Sequence, residues 1–460
     1  MFDVAIINSI IIDPRKKRLV PANLYIKDGV IADISRELLP SAQTIDATGC
    51  YLSPGFIDIH AHIEGHRQNG MLLSQQGVTT VLNGNCGMGV EHIGGFLAEQ
   101  NETGFILNQL ELCGATRLRM QVGQSDPYQP LLPEQIVMAN HLLEEAFAQG
   151  AAGLSFGLEY VPGSSSQEVL SLSTTAARYG KLVAIHIRTD CYGGLQALRE
   201  ALDISRITGA SVQISHVVYQ FGFGMMREAL EMIDKAVCEG YDISCDSGMY
   251  TSFATYIGTP VFDERCFEKW GCSFDNLIAA NGKYAGLPLN AGRYKDLREN
   301  FPHDAVIAMI GKPFEIPMAF ELPYMMASSD AGVNQTEDTS KGHPQDAGTF
   351  PRFLRELVRE RAQLTLPDAV SRITYLPAQR LRLSNKGDIH IGADADLVIF
   401  NLDTLTDRAQ FPHIGRPDAP PEGIEAVILN GRVTVKNGAI LEDTAGRAIA
   451  VPNSQWQFNS

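Results

Sequence analysis

Between roughly residues 52 and 385 the chain alternates short apolar runs with helical stretches, and nearly every run stops at a side chain able to bind a metal. Such alternation is the pattern of β/α units with parallel strands. The runs can be laid out as a barrel. Residues 51–58 lead to His60 and His62, and 78–82 to Cys86; either 104–107 or 118–122 supplies a third strand, and 151–156 lead to Glu159. After these, 182–185 reach His186, 212–215 His216, 241–245 Asp246 and 324–328 Asp330. Barrels of this kind carry their chemistry at the C-terminal ends of the strands, so the spacing predicts a site at the mouth.

The two ends of the chain read differently. Short alternating runs at 4–8, 23–27 and 30–34, the last two parted by Asp28-Gly29, return at 395–400, 426–429 and 433–435, punctuated by Asn430-Gly431 and Asn437-Gly438. Such dipeptides between alternating runs signal β-hairpins. Chain ends usually lie at the surface and near each other, so both are expected to meet in one small β-sandwich. The predicted fold is α/β: a (β/α)₈ barrel over 54–387, with sandwich halves at 1–53 and 388–460. The 460 residues suit that division.

Composition narrows the partners. A formal net charge of −16 argues against nucleic acid and against an anionic membrane, both of which need a basic surface. A small-molecule substrate is expected, with a homo-oligomer allowed. The opening residues carry Asp3 where a secretory leader would be basic, and no run of eighteen apolar residues occurs, so the reading is a cytoplasmic protein. Eight cysteines without tight pairing fit reduced thiols.

His60-Ala61-His62 puts two imidazoles at i and i+2, which in a strand project from one face toward a single cation. Cys86 lies between glycines at a strand end; His186 and His216 each follow an apolar run, and Asp330 follows the last. Imidazole, thiolate and carboxylate ligands converging on a site with an open position suit catalytic zinc. Each residue also has a plainer reading: a core histidine, an inert thiol or a turn aspartate. Their shared position at strand ends favours the metal.

The run Pro54-Gly55-Phe56-Ile57-Asp58-Ile59-His60-Ala61-His62 resembles the first-strand signature of the amidohydrolase superfamily. With Gly84-Asn85-Cys86-Gly87, His186-Ile187-Arg188, Ile214-Ser215-His216, Ser329-Asp330 and Gly348-Thr349-Phe350-Pro351-Arg352, the chain is similar to the N-acyl-D-amino-acid deacylase branch. The resemblance implies one or two zinc ions, with His60, His62 and Asp330 at one position, and Cys86 bridging to His186 and His216 at the other. It also sets Tyr160 and Arg188 near the substrate. Glu159 is read as a substrate contact or a loop carboxylate before a bridging ligand. As aligned to the branch, Val218, Gly248 and Gln345 replace a lysine, a tyrosine and an arginine suited to gripping a carboxylate.

Three readings follow. The first is an N-acyl-D-amino-acid deacylase-like hydrolase, cleaving a non-peptide C–N bond by metal-activated water with Asp330 as base. The second is a cyclic amide or ureide hydrolase, hydantoinase- or dihydroorotase-like. The third is a catalytically silent metal-binding scaffold. Residues 247–323 are expected to fold over the mouth.

Overall fold

A computed structural model describes residues 1–453. Parallel strands Phe56–Asp58, Val78–Asn83, Asn108–Gly114, Gly153–Gly157, Leu182–His186, Ser211–Ile214, Ile243–Ser247 and Met325–Ala327 pair successively in chain order as one eight-stranded sheet. The circle closes just past the strand ends. There Ala61 bridges Ala331, the His62 amide donates to the Ala331 carbonyl at 2.7 Å, and the Asp330 amide donates to the His60 carbonyl at 2.9 Å. Asp58 braces the same seam, accepting from the Ser329 amide at 3.1 Å and from its hydroxyl. Closure thus sets His60, His62 and Asp330 side by side.

Two expected strands are corrected. The run at 51–58 splits: Tyr51–Pro54 joins the terminal sheet and Phe56–Asp58 the barrel, with Gly55 at the crossing. A Cβ at Gly55 would stand 2.1 Å from Thr79 Oγ1, so a side chain there is excluded. Neither 104–107 nor 118–122 is the third strand. That place belongs to Asn108–Gly114, and Leu118 begins the second half of the helix Ala115–Gln121. The strand's polarity hides it from a search for apolar runs. Asn108, Gln109 and Glu111 are buried, bonded respectively to Asp396 at 3.0 Å, to Asn83 at 3.2 Å and to the Val90 amide at 3.2 Å.

Both chain ends build one nine-stranded mixed sheet, joined where Tyr51–Pro54 runs antiparallel to Leu397–Phe400. Its three Asx-Gly turns place both residues at positive φ: 52° and 80° at Asp28-Gly29, 49° and 81° at Asn430-Gly431, 48° and 76° at Asn437-Gly438. That is the backbone of a type I′ hairpin, whose twist matches its strands. Phe56 packs against Phe350 and Phe400, with ring centroids 6.0 and 6.3 Å away, so the sheet and the barrel share a core. Beyond it the chain returns along the barrel, where Lys181 Nζ donates to the carbonyls of Ala151 and Val451 at 2.8 and 2.6 Å.

Between the seventh and eighth barrel strands, Ser252–Tyr256 and Leu277–Ala279 flank Ala305–Met309 in an antiparallel sheet. Ala254, Thr255 and Tyr256 from this segment line the pocket at the barrel mouth, as expected of 247–323. Among the described residues no helix is long and apolar enough to cross a membrane.

Candidate active site

Six side chains from five strand ends, Asp330 among them at the closing seam, converge at the mouth. The Cys86 sulfur lies 3.4 Å from His60 Nε2, 3.6 Å from His186 Nδ1 and 3.4 Å from His216 Nε2. Asp330 Oδ1 lies 3.4 Å from His60 Nε2 and 3.2 Å from His62 Nε2. Two overlapping ligand sets result, His60-His62-Cys86 and Cys86-His186-His216, each with its donor atoms within 4.8 Å of one another, and Cys86 belongs to both. Cys86, His216 and Asp330 adopt left-handed backbones with φ of 54°, 32° and 57°. Each sits just past a strand end, where the chain turns sharply. Such conformations are uncommon outside glycine and gather at functional sites.

The electrostatics favour a cation. Burial opposes ionisation of Cys86, but the imidazoles of His60 and His216 outweigh it and hold the thiol well below its usual range. Burial likewise opposes charge on His62 and His186, yet Asp330 and Cys86 push His62 up to about 10, and Cys86 and Glu159 push His186 up to about 9. Protons held this way are what a divalent cation displaces when it binds. Thiolate, imidazole and carboxylate together fit a borderline-soft ion such as zinc.

A second layer fixes the rings. Glu159 Oε2 lies 3.1 Å from His186 Nε2, which turns Nδ1 toward Cys86. Asp246 Oδ1 faces His60 Nδ1 at 3.6 Å and accepts from the His216 amide at 2.9 Å and the Ser328 hydroxyl at 2.7 Å; Oδ2 accepts from Gln213 at 2.8 Å. Asp246 stood out in the sequence only as a strand-end residue, without a role. Lys269 was not singled out at all: it reaches down from the segment over the mouth to pair with Glu159, and with Asp190 at 2.7 Å.

The mouth opens into an outer pocket of about 450 Å³, lined by His62, Cys86, Arg117, Tyr160, Tyr256 and Asp330 among others. Behind it a small recess is bounded by Tyr160, His186, His216, Tyr219, Gln220 and Asp330, with Glu159 at its edge. Tyr160 therefore borders both spaces. Arg188 is not brought to either: its guanidinium holds Glu200 through bonds of 2.8 and 2.7 Å, and it lines a separate surface groove. At the three departures from the branch, Val218 is buried, and a Cβ on Gly248 would lie 2.3 Å from Tyr219 Oη, which occupies that space. Tyr219 Oη donates to Gln345 Oε1 at 3.0 Å, and Gln345 Nε2 donates to the Asp330 carbonyl at 2.5 Å.

A closed parallel barrel with this donor set at its mouth defines a metal-dependent amidohydrolase, acting on a non-peptide carbon–nitrogen bond. Sequence comparison agrees, since residues 43–113 and 325–435 match the model of the Amidohydrolase family. The chain resembles the amidohydrolase superfamily and, within it, the D-aminoacylase branch. It is 28% identical to the D-aminoacylase of Alcaligenes xylosoxydans xylosoxydans, the alignment covering 98% of each chain. A D-aminoacylase solved in a study of its binuclear metal centre superposes with a TM-score of 0.87 at 25% identity, covering 98% of this chain and 100% of that one. The N-acyl-D-glutamate deacylase of Bordetella bronchiseptica, complexed with zinc and a phosphonate mimic of the tetrahedral intermediate, gives 0.86 at 27% identity over the same shares.

Proposed function

We propose that the protein is a zinc hydrolase of N-acyl-D-amino acids or close analogues, its one or two ions held by His60, His62, Cys86, His186, His216 and Asp330. The observation that carries this reading is the pair of overlapping ligand sets joined at Cys86, with Asp330 facing both the ligands and the pocket. The D-aminoacylase with a binuclear centre and the zinc-bound deacylase support it. A reducing, cytoplasmic setting suits Cys86 as a thiolate, and all the ligands fall within the barrel unit proposed for 54–387.

Bound there, zinc supplies a Lewis acid for the scissile carbonyl and lowers the pKa of a water to about 7. The chain orients and moves protons. Asp330 takes the proton of the attacking water and returns it to the departing nitrogen. Glu159 and Asp246 keep the His186 and His60 rings in register, the usual task of groups behind a ligand shell. The pocket volume, about 450 Å³, lies in the range of about 300–1,000 Å³ common to small-molecule sites. Tyr160, at the boundary of pocket and recess, is placed to touch the substrate.

The test is Asp330→Asn. Turnover should fall by about two to four orders of magnitude, the scale of general acid–base catalysis, with a much smaller loss of bound metal. His60→Ala should lose metal and activity together. Near-normal turnover in Asp330→Asn would move the base elsewhere, with Glu159 next to examine.

A further inference from the structure

The wall of the recess carries an amide that the reaction above does not use. Gln220 follows His216 by four residues, on the short helix Val217–Phe221, and is 1% exposed. Neither its Nε2 nor its Oε1 has a hydrogen-bond partner among the described residues. A buried amide left without partners is costly for each unmet group, so an unpaired side chain facing a cavity beside these residues is a docking feature.

The recess holds about 20 Å³, room for a group the size of one water such as a carbonyl or amino function, while the outer pocket takes the body of a ligand. Its charged or chargeable lining is Glu159 and Asp190 together with His186, His216 and Asp330, the last three taken up by the metal in the reading above; among the described residues neither arginine nor lysine lines it. Lys269, close behind, is engaged by Glu159 and Asp190. A carboxylate in this recess would face Glu159 and Asp190 and, having only acceptors, would leave the Gln220 Oε1 unmet. An uncharged carbonyl–NH edge would meet both halves of the Gln220 amide.

We infer that Gln220 recognises an uncharged amide edge of the substrate, a carboxamide or a ring ureide. The inference rests on the amidohydrolase reading and names the substrate's inner end. Tyr219, which also lines the recess, is hydrogen-bonded to Gln345, and neither group adds charge there.

The test compares N-acetyl-D-alaninamide with N-acetyl-D-alanine on zinc-loaded protein, scoring binding by calorimetry and hydrolysis by acetate release. The amide should bind about tenfold or more tightly than the acid, the scale of one or two buried hydrogen bonds. Gln220→Leu should abolish that preference with zinc content unchanged. Gln220→Glu, which keeps the shape and one acceptor, should repel the acid further while retaining part of the amide's binding. Equal or tighter binding of the acid, failure of both to bind, or a preference surviving in Gln220→Leu would overturn the inference. Binding of the amide with hydrolysis of neither compound would instead overturn the hydrolase reading, and the calorimetric comparison would still decide Gln220.

Discussion

Replacing Asp246 by asparagine tests whether the second layer holds the metal ligands or merely fills the barrel. The aspartate is fully buried and spends Oδ1 on the His216 amide and the Ser328 hydroxyl, and Oδ2 on Gln213. Asparagine can keep its oxygen at the Oδ1 position, but its NH₂ then meets Gln213 Nε2, donor against donor. Gln213 relieves that clash only by turning over, which forces the Ser244 hydroxyl to reverse from donor to acceptor. Loss of charge weakens each of the two retained bonds by about 1 kcal/mol, and a donor left unmet where that reversal fails adds about 1–3 kcal/mol, so a destabilisation of about 2–5 kcal/mol follows. A domain with a stability of about 5–15 kcal/mol survives that loss. Because the same carboxylate faces His60 Nδ1, zinc affinity should also fall by about 10–100-fold. Urea unfolding of chelator-treated protein and zinc competition against a chromophoric chelator measure the two effects separately. Lost stability with unchanged zinc affinity would make Asp246 a brace and nothing more; no change in either would refute the geometry argued here.

Other outcomes are expected from the same structure. Cys86→Ser should lower zinc stoichiometry measured by elemental analysis, whereas Cys113→Ser should not, since Cys113 lies outside both ligand sets and burial pushes its thiol up to about 12. Lys269→Met should leave Glu159 without its cation, raising that carboxyl's pKa and reducing kcat/KM by about tenfold, with faster amide exchange in Arg265–Trp270; unaltered kinetics would count against the contact. Burial lowers Lys181 from 10.5 to about 8. The unfolded chain then binds more protons between those values, so stability should rise with pH across that window, and Lys181→Met should flatten the rise in urea titrations at pH 8 to 10.5.

The clustering of His60, His62, Cys86, His186, His216 and Asp330 was legible because barrel chemistry collects at strand ends, and a histidine or cysteine closing an apolar run is visible without a structure. The terminal sheet was legible through its Asx-Gly turns. The third strand was not, since Asn108, Gln109 and Glu111 turn inward to partners that only the closed fold supplies. Gln220 was hidden for the opposite reason: Val217, Val218, Tyr219 and Phe221 make its surroundings read as plain core. Arg188 matched a motif, yet the orientation of its side chain depends on Glu200, one helix away in space and absent from the motif. Lys269 meets Glu159 across 110 residues of chain, a distance over which no local pattern operates.

That last contact limits how such a protein can change. The segment over the mouth is the natural place to vary substrate choice, because it can differ in length and sequence without touching the barrel strands. Here, however, one of its lysines closes a relay that runs through Glu159 to His186. A segment grafted from a relative without a lysine at this place would arrive with new pocket walls but no such cation, leaving a buried carboxylate uncompensated beside His186. Exchange of the mouth is therefore tied to residue 269: a transplant that restores a lysine there can inherit new selectivity, and one that omits it loosens the metal while redesigning the pocket.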